Sequence, residues 1–476
     1  MHILLISPGF YPFHGHNAVT EATAGLAKAL RNLKYEVTTL CPLLPSEAHK
    51  QRGLARRLDP LSVKLGDQSK EFVIFESKSP SGVNHVFLSH EDPTSSASPE
   101  TLSDMDVFFC EAASRFVHEF PEALDVVHVH DVACALCVPM LKSTEHTANA
   151  NYPILFTLYD LEHQGKLSEL QASELGLQNK DFSDSLLFAG TVNPAAAAIQ
   201  YTDVLCTNTV RLAADLEDDS TAMGLKQRAE QREHCAIGID FGVDTSVWNP
   251  ATDTFLKTHY ESINLQGKIQ NKTQLQFEKD LDVEADTPLC VWLIENTDSL
   301  PESLDETFFQ RLFRNELQLI ICTPSDSLPE VVTTQEQSFE KQLRCQLNMS
   351  EQDQHRLIAA ADFLLLSTSS NHLLNLSVVA FRYGSIPVVA DTSFLPHCVL
   401  DCDTELRSGS SFLFSTTHND DVLKTLQRAL AAYSQKKLFL DLQHNIMKTD
   451  LSWDRSARHY AQLYKELASA EQKQEK

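Results

Sequence analysis

Apolar and polar positions in the first half of the chain alternate between strand-like and helix-like periods. Residues 3–7 form a short apolar run typical of a buried strand, and residues 18–32 repeat apolar positions with the period of an amphipathic helix. The same patterns predict strands at 35–41, 125–130, 152–158 and 204–207, and helices at 133–142 and from residue 211. Strands that alternate with helices indicate a parallel sheet covered on both faces.

A second series of strands and helices follows a polar region at 242–286. Its apolar runs lie at 289–293, 317–322, 361–366 and 385–389, and a helical period runs through 421–466. Two other polar stretches, 47–70 and 90–104, are interpreted as surface insertions. The predicted fold class is therefore α/β, with two doubly wound Rossmann-like domains that face a cleft. Ligands are expected in that cleft, at the carboxyl ends of the strands.

The composition is that of a globular protein with a strongly acidic surface. Of 476 residues, 42% are hydrophobic and 22% are charged, and 65 acidic against 39 basic residues give a formal charge of −26. Such a charge repels nucleic acid and anionic lipid but not a neutral polysaccharide. No apolar run reaches the roughly 18 residues of a membrane span. The N-terminus enters an apolar strand without a signal peptide, so we expect a cytoplasmic protein without nucleic-acid or membrane partners.

Two residue counts bear on the candidate chemistry. The 11 cysteines are scattered through apolar runs, and the pair Cys134 and Cys137 lacks a second pair or a histidine cluster. We therefore predict buried thiols and no metal site. Glycine accounts for 15 residues, whereas average usage of about 7% would give about 33. Glycines let backbone N–H groups approach phosphates closely, so few positions remain for that purpose. No cofactor is predicted.

Several segments resemble a known family. Residues 238–253 read G-I-D-F-G-V-D-T-S-V-W-N-P-A-T-D, which is similar to the G-I-x-N-G-I-D-x-x-x-W-N-P-x-x-D signature of bacterial glycogen synthases and plant starch synthases. Segments at 130–131, 156–165, 382–388 and 451–457 resemble, in family order, the start of H-D-W and the motifs F-T-I-H-N-x-x-x-Q-G, R-Y-G-T-I-P-V and F-S-W-x-x-S-A. The resemblance covers nearly the whole chain.

The resemblance implies the GT-B architecture and the transfer of glucose from ADP-glucose onto an α-1,4-glucan. It implies a synthase-like N-terminal domain at 1–250 and a nucleotide-sugar-binding type of domain at 251–454. A final helix at 455–476 is expected to pack back on the first domain. Trp248, inside the signature segment, is interpreted as a packing anchor between the two domains.

The same resemblance places unusual residues at the family's functional positions in the first domain. The family surrounds its anionic leaving group with positive charges and oriented N–H groups. Here Gly15 stands where the family has the lysine of a K-x-G-G-L loop, and Asn17 and Ala18 replace the two glycines. Gly9 stands at the position of a glutamate, and Tyr159 at that of a glucose-binding histidine.

The second domain shows a similar loss. Glu295 stands at the position of the phosphate-binding arginine, Leu300 at that of the lysine, Asn371 at that of a glutamate and Leu374 at that of a glycine. No lysine or arginine lies within 287–300 or 357–381, so a shifted alignment restores neither cation. One like charge at about 4 Å costs roughly 4 kcal/mol at an effective dielectric near 20. That is about three orders of magnitude in affinity for a diphosphate.

Five side chains are candidates for binding sugar hydroxyls: His130, Asp131, Tyr159, Asn371 and His372. For His130 and Asp131, the competing interpretation is a helix cap with its hydrogen-bond partner at the end of a strand. The other three have no charge that a diphosphate requires.

The leading hypothesis is a degenerate synthase that has lost its donor-binding and catalytic residues. It would act in α-glucan metabolism by binding an α-glucan or malto-oligosaccharide, or by pairing with an active synthase or another glucan-metabolism protein. The alternative is an active α-1,4-glucan synthase with an altered donor site, whose cation comes from an insertion lysine or a metal. A third hypothesis is a subunit that binds proteins only.

Overall fold

The computed structural model describes residues 1–15, 17–44, 53–92, 101–119, 124–143, 152–232, 236–295, 300–301, 304–367, 371–416 and 418–474. The chain divides into two compact units. The first unit consists of Met1–Gly242 together with Trp453–Lys476, and the second consists of Val243–Ser452. Within the described ranges, no helix is both long and apolar enough to cross a membrane.

The first unit is built on a mostly parallel sheet. Its strands are β1 (His2–Ile6), β2 (Glu36–Leu43), β3 (Ala55–Arg56), β4 (Leu61–Leu65), β5 (Gln68–Lys78), β6 (Asn84–Ser89), β7 (Val126–His130), β8 (Ile154–Leu158), β9 (Leu187–Phe188), β10 (Thr191–Val192), β11 (Val204–Thr207) and β12 (Ile237–Gly238). The order in the sheet is β12-β11-β8-β7-β1-β2-β6-β5-β3, with β4 also paired to β5 and β9 paired to β10 apart from the sheet. Along this order, each pair of neighbouring strands from β12 to β6 is parallel. The strand β5 is antiparallel to its three partners β6, β3 and β4.

Helices cover this sheet. They are α1 (Ala18–Asn32), α2 (Asp104–Glu119), α3 (Cys137–Lys142), α4 (Glu169–Glu174), α5 (Ser183–Leu186), α6 (Pro194–Tyr201), α7 (Val210–Glu217) and α8 (Lys226–Glu230). The central strands β1, β7 and β8 are buried along their whole length, as their continuous apolar runs predict for a sheet covered on both faces.

Two sequence predictions for this unit are wrong. The polar stretch 47–70 contains β3, β4 and the start of β5, which extend the sheet, because Leu61, Val63 and Leu65 alternate with exposed polar residues and are buried. The predicted helix at 133–142 is a 3-10 turn (Val132–Cys134) followed by the short α3. Pro139 has no backbone N–H and is tolerated only in the first turn of a helix, so α3 begins just before it.

The second unit contains a parallel sheet with helices around it. Its strands are β13 (Leu289–Leu293), β14 (Gln318–Cys322), β15 (Leu343–Gln346), β16 (Phe363–Leu366), β17 (Ile386–Ala390) and β18 (Phe412–Phe414). Its helices are α9 (Gln266–Glu278), α10 (Glu306–Leu312), α11 (Glu330–Ser338), α12 (Glu351–Ala360), α13 (Asn371–Tyr383), α14 (Asn419–Ser434) and α15 (Lys436–Lys448). The strand order is β15-β14-β13-β16-β17-β18, and every pair is parallel.

The part of the signature segment from Val243 to Asp253 packs inside the second unit. The Trp248 ring stacks on the His355 ring at 3.8 Å between centroids, with an angle of 11° between their planes. Asp253 Oδ2 accepts a hydrogen bond from the Tyr383 hydroxyl at 2.6 Å and is bonded to His355 Nδ1 at 2.8 Å. Trp248 was expected to anchor one domain to the other, whereas this stacking is with a residue of its own unit.

The last helix, α16 (Trp453–Gln474), packs on α1 of the first unit. Gly25 makes this approach close, because a Cβ atom there would lie 2.1 Å from Trp453 Nε1. At the other end of the contact, the Tyr464 hydroxyl is hydrogen-bonded to the buried His128 Nδ1 at 2.7 Å. An apolar contact and a buried hydrogen bond therefore fix the helix to the sheet.

We expect Gly25→Ala to destabilise the protein by about 1–3 kcal/mol, the usual cost of overpacking a core. In a Trp453→Ala background the same change should be neutral or stabilising, since alanine is the better helix former by about 1 kcal/mol. Urea unfolding of the four proteins in this cycle measures the coupling between the two sites. Equal effects of Gly25→Ala in both backgrounds would contradict the packing described here.

Candidate functional site

The strand order of each unit defines where a doubly wound sheet binds its ligand. In the first unit, β1 has β2 on one side and β7 on the other. In the second unit, β13 lies between β14 and β16. At such switch points, a crevice opens beyond the carboxyl ends of the strands. The candidate positions follow these strands: Gly9 and Gly15 after β1, Asp131 after β7, Tyr159 after β8, Glu295 and Leu300 after β13, and Asn371 and His372 after β16.

The space beside Gly9 is occupied by other side chains. A Cβ atom on Gly9 would lie 2.9 Å from His14 Cγ and 2.9 Å from Thr20 Cγ2. His14 is held in place by a hydrogen bond between its Nε2 and the Pro42 carbonyl at 2.8 Å. The Gly9 carbonyl accepts a hydrogen bond from the Ser7 hydroxyl at 2.6 Å. A larger residue at position 9 would have to displace His14 or the first turn of α1.

The N-terminus of α1 is capped by the chain itself. Asn17 Oδ1 accepts hydrogen bonds from the backbone N–H groups of Val19 at 3.0 Å and Thr20 at 2.9 Å. Thr20 Oγ1 accepts the Asn17 N–H at 3.1 Å and donates to the Gly15 carbonyl at 2.8 Å. Free N–H groups at a helix N-terminus are an anion-binding site. Here a side-chain amide oxygen is bonded to two of them.

His130 and Tyr159 form a buried polar pair at the ends of β7 and β8. Their side chains are 1% and 4% exposed, and His130 Nδ1 is bonded to the Tyr159 hydroxyl at 3.1 Å. His130 Nε2 is buried without a hydrogen-bond partner among the described residues. Burial lowers the pKa of His130 to about 3 and keeps its ring neutral. The unpartnered Nε2 is thus a neutral hydrogen-bonding group.

Asp131 has the capping role, which was one of the two interpretations of its sequence position. Its backbone has a φ of 71°, and its side chain caps the 3-10 turn by accepting the Ala133 N–H at 3.0 Å. Burial raises the pKa of the Asp131 carboxyl to about 6, the Ala133 N–H and His163 lower it, and Asp160 raises it. Asp160 is itself hydrogen-bonded to His163. Capping is thus the contact that the structure assigns to Asp131, and a ligand remains a hypothesis.

In the second unit, the candidate positions differ in burial. Glu295 is partly exposed, and its carbonyl accepts a hydrogen bond from the Ser325 hydroxyl at 3.4 Å. Leu300 is 8% exposed, and Leu374, in α13, is fully buried. Asn371 and His372 lie in the first turn of α13. Both leucines are therefore packing residues of this unit.

Comparisons with known proteins agree with this architecture. The family model "Starch synthase catalytic domain" matches residues 2–230. A glycogen synthase of Pseudothermotoga lettingae is 26% identical over 99% of this chain and 100% of its own length, and one of Thermotoga maritima is 26% identical over 98% of each. The chain is similar to the glycogen/starch synthase family along nearly its whole length.

Solved structures show the fold of this chain. The catalytic domain of starch synthase IV from Arabidopsis thaliana, bound to ADP and acarbose, has a TM-score of 0.83 at 23% identity and covers 98% of this chain and 99% of its own. A sucrose-phosphate synthase from Thermosynechococcus elongatus has a TM-score of 0.59 at 13% identity, with coverage of 99% and 100%. These relatives confirm the predicted α/β fold of GT-B type.

Sequence reasoning missed two residues of the synthase fold that define its first-unit site. Asn17 was identified as the replacement of a glycine, but not as the cap of α1, and His14 was not singled out. The Asn-x-x-Thr spacing before an apolar helical period is a signal for the cap, because Asn17 and Thr20 form a reciprocal capping box. No comparable signal predicts that His14 folds back against Gly9.

Asp131 is expected to make the stability of the protein depend on pH. Its folded pKa near 6 exceeds the ordinary aspartate pKa of 3.8, so between pH 4 and 6 the folded chain keeps a proton that the unfolded chain has lost. The contribution of this group therefore favours folding below pH 4 and is lost as the pH rises through 6. Asp131→Asn, which retains a capping oxygen, should be more stable than wild type by about 1–3 kcal/mol at pH 7.5 and equal to it at pH 4.

Urea unfolding at the two pH values checks this expectation. A stability difference between the variant and wild type that is the same at pH 4 and pH 7.5 would contradict it.

Proposed function

We propose that this chain is a noncatalytic member of the glycogen/starch synthase family that binds an α-glucan instead of transferring glucose to it. The observation that carries the proposal is the capped N-terminus of α1. Asn17 Oδ1 is bonded to the N–H groups of Val19 and Thr20, at the loop where the resemblance places two glycines and a lysine. A phosphate cannot use those donors while the amide oxygen occupies them.

The charge of the second unit supports the same proposal. Glu295, at the end of β13, stands where the resemblance places an arginine, and Leu300 is buried where it places a lysine. A nucleotide diphosphate needs cations to offset the loss of its hydration. The segments 287–300 and 357–381, which flank the switch point of this sheet, contain no lysine or arginine.

An α-glucan carries no charge, and the proposed contacts of the first unit with it are neutral polar groups. Its hydroxyl groups need neutral donors and acceptors, and His130 Nε2 is a buried polar atom without a partner in the described part of the chain. Tyr159 holds the ring through Nδ1 at 3.1 Å. The Arabidopsis relative is described as bound to both ADP and acarbose. For this chain we propose only a ligand without phosphate, such as a malto-oligosaccharide.

We further propose that the protein works in the cytoplasm beside an active synthase or another protein of glucan metabolism. A chain with the synthase fold and without donor chemistry can hold glucan chains for such a partner. The negative charge of −26 is compatible with a neutral polymer and disfavours free nucleotide sugars.

Thermal unfolding with ligands tests the proposal. Maltoheptaose at one hundred times its dissociation constant should stabilise the protein by about 2.7 kcal/mol, and ADP, ADP-glucose and UDP-glucose should leave Tm unchanged. Tyr159→Phe, which removes only the hydroxyl that positions His130, should weaken the maltoheptaose effect. A rise in Tm with a nucleotide sugar would favour an active synthase with an altered donor site. No rise with any ligand would favour a subunit that binds proteins only.

A further inference from the structure

A cavity of about 480 Å³ lies in the first unit, away from the carboxyl ends of its strands. Its lining includes His2, the first residue of β1, and Asn84, the first residue of β6. It therefore opens at the amino ends of these parallel strands. A five-residue strand spans about 16 Å, so the cavity is separate from the switch point where Gly9 and Asp131 lie.

One face of the sheet forms the floor of this cavity. Leu4 is in register with Thr38, Thr38 with Asn84, and Asn84 with Lys78, which gives one row of side chains across β1, β2, β6 and β5. All four residues line the cavity. His2, on the same face of β1, is bonded through Nε2 to Thr38 Oγ1 at 2.9 Å. The floor is thus polar toward β5 and apolar at Leu4.

Other residues of the lining combine an aromatic ring with an ion pair. Phe116 and Val117 come from the end of α2, and Arg57 follows β3. The guanidinium carbon of Arg57 lies 5.7 Å from the centroid of the Phe116 ring. Arg57 Nε donates to Glu76 Oε1 at 2.9 Å. The pair is held on the edge of the cavity, with each side chain about one-third exposed.

Two polar groups at the cavity have no partner of their own. Within the described ranges, neither the Lys78 ammonium nor the Asn84 amide makes a hydrogen bond or an ion pair with another residue. The two residues are directly opposite each other on the antiparallel strands β5 and β6, where side chains are about 5 Å apart. Lys78 is exposed to solvent and Asn84 is half-buried, so both side chains are accessible to a ligand in the cavity.

We propose that this cavity binds a small phosphorylated sugar. The Lys78 ammonium, with Arg57 nearby, provides positive charge for a phosphate. Asn84 both donates and accepts, and Glu76 and Thr38 accept, as the hydroxyl groups of a sugar require. The Phe116 ring offers an apolar wall for the sugar ring. The volume lies within the range of small-molecule sites, about 300–1,000 Å³. This inference does not rest on the proposed function, since the cavity and the glucan site are at opposite ends of the sheet.

Isothermal titration calorimetry on the full chain tests the proposal, with glucose 6-phosphate, glucose and inorganic phosphate as probes. Glucose 6-phosphate is expected to bind with a dissociation constant below about 1 mM. Glucose and inorganic phosphate should each bind at least about tenfold more weakly, because each lacks one half of the contacts. Lys78→Met should weaken the sugar phosphate about tenfold, and Asn84→Ala about threefold.

Lys64→Met is the matched control. Lys64 is exposed on β4 and does not line the cavity, so its loss should leave binding unchanged. Absence of glucose 6-phosphate binding would overturn the proposal, as would equal binding of inorganic phosphate or equal effects of Lys78→Met and Lys64→Met. Maltoheptaose binding should be the same in Lys78→Met and wild type. Its loss in that variant would overturn the proposal by making the cavity a glucan site.

Discussion

A variant that carries Gly15→Lys, Asn17→Gly, Ala18→Gly and Glu295→Arg is expected to bind ADP at least about 100-fold more tightly than the wild-type chain. Two changes remove the cap that occupies the N–H groups of α1. The other two add cations where the resemblance places them. Reversal of one charge near a diphosphate is worth roughly 4 kcal/mol per unit charge at 4 Å and an effective dielectric near 20, so the predicted gain is a lower bound.

The fold should tolerate these four changes. A Cβ atom on Gly15 would meet no atom within 4 Å, so a lysine side chain has room there. Replacement of an N-cap residue by glycine costs only a few tenths of a kcal/mol, and glycine for Ala18 costs about 1 kcal/mol. Glu295 is partly exposed, so arginine at this position needs no new cavity.

Calorimetry with ADP at low and physiological salt measures the gain. Glu71→Arg is the control, because Glu71 is exposed on β5 and the substitution reverses one carboxylate, as Glu295→Arg does. A general effect of charge would appear in both proteins. If the folded four-site variant bound ADP no better than Glu71→Arg, the assignment of these positions to the donor site would be wrong.

The second large effect is expected at a buried ion pair of the second unit. Lys272 is 3% exposed, and its Nζ donates to Asp362 Oδ2 at 2.6 Å, to the Ala285 carbonyl at 2.8 Å and to the Tyr433 hydroxyl at 3.1 Å. Asp362 Oδ2 also accepts the Leu289 N–H at 2.9 Å, at the start of β13. Lys272→Met should destabilise this unit by about 3–5 kcal/mol, because it leaves a buried carboxylate without its cation.

Lys341→Met provides the comparison for that prediction. Lys341 pairs with Asp280 at 3.2 Å, but the two side chains are 52% and 81% exposed, so the loss should be within about 0.5 kcal/mol. Urea unfolding followed by tryptophan fluorescence reports on the second unit through Trp292, which is fully buried in β13. Equal effects of the two substitutions would contradict the buried ion pair.

Much of the fold could be predicted from periodicity. The helix predicted at 18–32 has the bounds of α1, and the apolar run at 289–293 has those of β13. A long element with one strong hydrophobic period can be predicted from the sequence, because the period specifies both its type and its buried face. The strands β3 to β5 were missed because a polar, charged sequence with short apolar alternation lies at the edge of the sheet. At this edge, the pairing of β5 with β6 determines strand formation more than the local amino-acid composition does.

The candidate site could be located but not described from the sequence. Topology places residues after β1, β7, β13 and β16 at the switch points, and the resemblance indicates which positions matter. The orientation of side chains depends on contacts between distant segments, such as His14 with the Pro42 carbonyl. The burial of His130, which keeps its ring neutral, likewise depends on β8 and on Tyr159.

The most direct test of the proposed loss of catalysis is the release of nucleotide by the purified wild-type chain. ADP-glucose or UDP-glucose is incubated with a malto-oligosaccharide primer, and free ADP or UDP is measured over time. The proposal predicts release no faster than in a sample without protein. Turnover at about 1–10³ s⁻¹, the range of ordinary enzymes, would contradict it and identify the chain as an active synthase.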